Sequence, residues 1–126
     1  MTEYDSKYFS PPAPVAYVTL RNPATGASLH DILMLIDTGS DVTALPRTLI
    51  AELGVELNAD KFYEVVGFDG QSRMVNMVVL ELEFSGRKFS GQFLLVDQSF
   101  GILGRNILNN LRLVLDGPHG TWKEQD

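Results

Sequence analysis

A chain of 126 residues, 44% of them hydrophobic, is long enough to enclose one compact core and too short for two comfortable domains. Its 16 acidic and 10 basic residues leave a formal charge of −6, which offers no basic face to a phosphate backbone and argues against a nucleic-acid partner. The absence of cysteine excludes a disulfide framework and a thiol nucleophile, and leaves the redox compartment open.

Residues 1–14 are polar and aromatic and end in Pro11, Pro12 and Pro14, which lack amide donors. They read as a flexible tail ahead of a single domain over residues 15–126. The first ten residues lack the basic and then apolar pattern of a secretory leader, and a cytoplasmic setting is compatible with them. Val15 to Leu20 is β-prone, and Asn22-Pro23-Ala24-Thr25-Gly26 supplies a turn into a second strand over Leu29 to Ile36. The run Ile32 to Ile36 is the longest apolar stretch, far below the roughly 20 residues that span a bilayer, so no membrane crossing is expected. Its continuous apolarity predicts burial on both faces and delivers the chain into Asp37-Thr38-Gly39. Arg47 to Leu53 has helical spacing between Pro46 and Gly54.

Phe62 to Val66 and Ser72 to Phe84 form a predicted hairpin around Gly67-Phe68-Asp69-Gly70, with Leu80, Leu82 and Phe84 alternating against Glu81 and Glu83. A further alternating strand carries Phe89, Gly91, Phe93 and Leu95. Ile102-Leu103-Gly104 precedes a short helix over Arg105 to Asn110, a strand over Leu111 to Leu115, and a turn into a last strand near Trp122. Many short strands with one or two short helices indicate a mostly-β, barrel-like domain.

Hydrolysing a peptide bond without a metal or covalent nucleophile requires one group to deprotonate water and another to protonate the carbonyl or the amine. Two close carboxylates sharing a proton do both, because like charges at contact distance cannot both ionise cheaply. Asp37 is the only Asp followed by Ser or Thr and then Gly, so its counterpart must come from an identical chain. His30 and His119 are distant in sequence and read as surface residues, and neither a metal nor a cofactor is expected.

Leu35-Ile36-Asp37-Thr38-Gly39-Ser40-Asp41-Val42-Thr43 resembles the catalytic turn of the retropepsin-like aspartic proteases, and Ile102-Leu103-Gly104-Arg105-Asn106 resembles their second signature. With the glycine-tipped hairpin between them, the resemblance covers nearly everything from Val15 to Leu115. The continuation Leu113 to Pro118 is similar to single-domain bacterial members. The resemblance implies an acid-protease barrel completed as a homodimer and an endopeptidase acting on extended polypeptides through paired Asp37 carboxylates. It also implies that Thr38 bonds across the two-fold axis and that Gly39 lets the chain turn and receives a hydrogen bond from substrate. Ser40 is expected to bond the outer oxygen of Asp37, and Asp41 to pair with Arg105. Val66, Gly67, Phe68, Asp69 and Gly70 correspond to the flap, and Val42, with the stretch Phe100 to Ile102, to pocket walls. Relatives of this fold also serve in protein quality control, so a catalytically weak dimeric peptide-binding module is the alternative; a monomeric domain in which Asp37 only caps a turn is a further one.

Overall fold

The computed structural model describes residues 1–55, 62–66 and 69–126. In chain order, β1 (Thr2–Glu3) precedes β2 (Val15–Arg21), β3 (Ser28–Ile36), β4 (Ala44–Pro46) and helix α1 (Arg47–Leu53). Strands β5 (Phe62–Val66), β6 (Ser72–Phe84), β7 (Arg87–Val96) and β8 (Gly101–Leu103) follow, then helix α2 (Arg105–Leu108), β9 (Leu113–Asp116), a 3₁₀ turn over Gly117–His119, and β10 (Thr121–Glu124). The larger sheet runs β2-β3-β8-β4-β7-β6-β5, and an extra pairing of β2 with β6 closes all of these strands except β5 into a barrel.

The barrel forms because period-two alternation sends one side of each strand inward. On β6, Val78, Leu80, Leu82 and Phe84 are buried while Val79 faces solvent. They meet Leu20, Met34, Leu95 and Leu103 in a single core. The apolar run in β3 behaves less uniformly than expected: Met34 and Ile36 are buried, whereas Leu33 and Leu35 are half buried. Helix α1 starts after Pro46, whose φ of −60° suits a helix entrance, and stops at Gly54, which takes the left-handed φ of 68°. Its last turn is tied to the β2–β3 turn by buried Asn22, which donates from Nδ2 to the Leu53 carbonyl at 3.1 Å and accepts from the Ala24 amide at 3.0 Å. Both ends of that side-chain amide are therefore satisfied.

Residues 1–14, expected as a flexible tail, are laid against the domain instead. Strand β1 pairs with β10, Asp5 and Ala13 bridge, and the Tyr4 amide donates to the Gly120 carbonyl at 2.7 Å. Phe9 meets Phe100 edge to face, with ring centroids 4.8 Å apart. Phe9 thus finds its aromatic partner more than ninety positions away in sequence, beyond the reach of a local reading. Strands β1, β10 and β9 form a separate sheet in that order. Trp122 of β10 anchors it, since the buried indole N–H donates to the Val15 carbonyl at 2.7 Å.

Candidate active site

Strand β3 carries Asp37 to the point where β3 and β8 run parallel, Ile36 beside Leu103. The Asp37 amide donates to the Leu103 carbonyl at 3.1 Å, which fixes the backbone of the turn. The Gly39 amide then donates to Asp37 Oδ1 at 2.9 Å, and the Ser40 amide to the Asp37 carbonyl at 3.2 Å. A Cβ at Gly39 would sit 3.1 Å from Asp37 Oδ1. Gly39 is accordingly explained by its approach to the carboxylate, because its φ is not one that side chains avoid.

The two sequence signatures interlock. The Arg105 amide donates to the Ser40 carbonyl at 2.8 Å, and Arg105 Nη1 to the Thr38 carbonyl at 2.7 Å. Gly104 packs so closely that an added Cβ would lie 2.1 Å from the Val42 carbonyl oxygen. Buried Thr43 joins the halves: its hydroxyl donates to Asn106 Oδ1 at 2.7 Å and accepts from the Gly104 amide at 3.1 Å. Neither Thr43 nor Asn106 was singled out from sequence, although both lie inside the two signatures; a buried hydroxyl between them was the missing signal.

Two expectations are corrected. Ser40 turns away from the Asp37 carboxylate and donates from Oγ to the Val42 carbonyl at 2.7 Å, closing the turn on itself. Asp41 is exposed and forms no ion pair with Arg105 among the described residues, because the guanidinium is committed to the Thr38 carbonyl. Arg105 therefore braces the Asp-Thr-Gly turn through backbone. Thr38 is exposed, and Val42 is half buried beside Gly104.

The expected flap corresponds to β5 and β6, paired antiparallel up to Val66 opposite Ser72. Val66 is exposed, Asp69 Oδ1 accepts from the Gln71 amide at 3.0 Å, and Gly70 takes a φ of 80°. Gly67 and Phe68 lie outside the described residues. Arg47 braces the base of this hairpin, donating from Nη1 to Asn76 Oδ1 at 3.2 Å and from Nε to Asp97 Oδ1 at 3.0 Å. Beside the Asp-Thr-Gly turn opens a cavity of about 220 Å³ lined by Ile36, Thr38, Arg105, Leu108, Asn109, Leu111, Leu113 and Leu115. Among the described residues, no helix is long and apolar enough to cross a membrane.

This barrel, with an Asp-Thr-Gly turn stapled to a Gly-Arg-Asn helix start, defines the retropepsin-like acid-protease class. The structure of the EIAV protease complexed with the inhibitor HBY-793 is similar to it, with a TM-score of 0.57 and 22% identity over 78% of this chain and 86% of that one. The Asp_protease_2 family model, described as aspartyl protease, matches residues 23–107, and the chain belongs to that family. No curated protein matches it at a significant level.

Proposed function

We propose that the chain is an aspartic endopeptidase that works as a homodimer, with one Asp37 from each copy at a shared site. The observation that carries this reading is the single Asp-Thr-Gly turn, held by reciprocal hydrogen bonds to the Gly104-Arg105-Asn106 segment. One carboxylate cannot be both base and acid in the same step, and a second copy supplies the missing group. One Asp37, ionised, takes a proton from a water that attacks the scissile carbonyl carbon. The other, protonated, gives its proton to the carbonyl oxygen. The tetrahedral diol then collapses: the first Asp37 passes the proton it took from water to the amine nitrogen, the second takes the proton of one diol hydroxyl, and the C–N bond breaks, returning both carboxyls to their starting states. A substrate strand lying on Gly39 would meet no side chain there, and the β5–β6 hairpin is the candidate cover for it.

The test is cleavage of an unfolded protein across a range of pH at high protomer concentration, comparing wild type with Asp37→Asn. The variant should lose activity by about 10²–10⁴-fold or more, the usual scale for removing a general acid–base group. A wild-type dimer that cleaves nothing but retains extended peptides would move the assignment to a binding module.

A further inference from the structure

The segment before β2 is a built loop. Asp5 and Ala13 exchange backbone hydrogen bonds of 2.8 and 3.0 Å, which closes residues 6–12 into a loop, and Asp5 Oδ2 accepts from the Tyr8 amide at 2.7 Å inside it. The loop feeds into β2 through Pro14, whose carbonyl accepts from the Ile36 amide at 3.0 Å, one residue before Asp37. Strand β3 lies between β2 and β8 in the sheet. Phe9 meets Phe100, the residue that leads into β8, so the loop crosses β3 to reach it. The face it crosses follows from alternation. Met34 and Ile36 point into the core, which puts Leu33, Leu35 and Asp37 on the opposite face. In the parallel register Gly101 lies beside Met34, Ile102 beside Leu35 and Leu103 beside Ile36. Ile102 therefore shares the face of Asp37, and one step back Phe100 comes level with Leu33 on that same face. Leu33, Leu35, Ile102, Phe100 and Phe9 are all half buried. An apolar strip thus runs up to the Asp37 carboxylate, and the Phe9 ring stands over its far end, edge to face with Phe100.

We propose that Phe9 is a specificity-determining residue: it walls an apolar subsite, floored by Leu35, Ile102 and Phe100, that takes an aromatic or large aliphatic side chain of the substrate close to the scissile bond. The inference deepens the protease reading above and rests on it. A strip on one sheet face offers a side chain a floor only, whereas selective sites are concave and apolar, with walls that remove most of the ligand's surface from water. Phe9 supplies such a wall, and the closed loop around it fixes where the wall stands. Among the described residues, the bonds on the Asp-Thr-Gly turn come from within it and from Val42, Leu103 and Arg105, not from this loop. Changes at Phe9 should accordingly alter which peptides are held and leave the proton transfers at Asp37 alone.

The test compares wild type, Phe9→Ala and Phe9→Tyr on short peptides that differ only in carrying Phe, Leu or Ala beside the scissile bond, with folding checked by circular dichroism and assembly by sedimentation. Phe9→Ala should raise KM for the Phe and Leu peptides by about 2–12-fold, the factor that one aromatic contact is worth, and change it little for the Ala peptide. Its kcat should stay within about twofold of wild type, as for a lost binding contact. Phe9→Tyr, which keeps the ring, should restore the preference. The same subsite is read without turnover in an Asp37→Asn background: fluorescein-labelled peptides with a single Phe among polar residues should bind about 2–12-fold more weakly, by anisotropy, once Phe9→Ala is added. Equal preference in wild type and Phe9→Ala, whatever happens to Tm, makes Phe9 a prop for the loop and overturns the subsite. A wild-type chain that cleaves nothing overturns the protease reading alone if the anisotropy difference persists, and both if it does not.

Discussion

Gly104 stands where the second signature crosses the first, and the distance of 2.1 Å between its hypothetical Cβ and the Val42 carbonyl oxygen leaves that backbone nowhere to go. Overpacking a tight site costs about 1–3 kcal/mol where neighbours can shift, and here the neighbour is main chain. Gly104→Ala is therefore expected to lower stability by at least about that amount, read as a fall in Tm, and to reduce activity by displacing the Ser40 carbonyl that Arg105 holds. Thr43 acts at the same crossing through polarity. Thr43→Val keeps the shape but strands the Gly104 amide and removes the donor to Asn106, so a loss of about 1–3 kcal/mol is expected in denaturant unfolding. Thr43→Ser, which keeps the hydroxyl, should lose much less. Ser40 belongs to a different category: its hydroxyl closes the turn onto Val42, so its influence on Asp37 passes through backbone geometry.

Among the elements, those written in local alternation were legible. The bounds of β5 and β6 match the sequence reading, and α1 occupies the residues its spacing indicated, because each is specified by neighbours within one or two turns of chain. Strand β4 was not legible. It has three residues, ends in a proline, and exists because Ala44 to Pro46 lies parallel to Leu94 to Val96 of β7, a partner about fifty positions away. The same holds for the docked N-terminal segment, whose Phe9 meets Phe100 and whose β1 pairs with β10. At the site, the two signatures lie on segments that meet in the fold, Arg105 bonding the Thr38 and Ser40 carbonyls, but the partners of Ser40, Asp41 and Arg105 depended on side-chain directions that spacing does not encode. One inter-element tie responds to pH. Glu124 of β10 accepts from the Ser85 hydroxyl in the β6–β7 turn and from Arg87 Nη1 at the start of β7, and these bonds, the Ser85 one first, hold its carboxyl below the ordinary 4.5. A carboxyl lowered by folding stabilises the fold above its unfolded value, and the contribution disappears as pH falls through the folded value. Glu124→Gln should thus lower Tm at neutral pH, and the gap to wild type should close well below pH 4.5, which thermal unfolding across a pH series would read.

At the scale of the whole molecule, the proposed dimer, in which each chain brings one carboxylate to a shared site, would make activity a property of pairs. Below the dissociation constant the active fraction falls in proportion to protomer concentration, so a tenfold dilution should cut activity per protomer by roughly tenfold. A site complete within one chain would give constant activity per protomer. Mixing makes the distinction sharper. Asp37→Asn changes a half-buried residue of the Asp-Thr-Gly turn to an amide of nearly the same shape, so it should still pair with wild type. Each mixed dimer then holds one carboxylate and one amide, and the amide can neither take the proton from water nor share one with its neighbour. With the variant in tenfold excess and exchange complete, mass action leaves roughly a tenth of the wild-type chains paired with one another, and cleavage should drop by about the same factor.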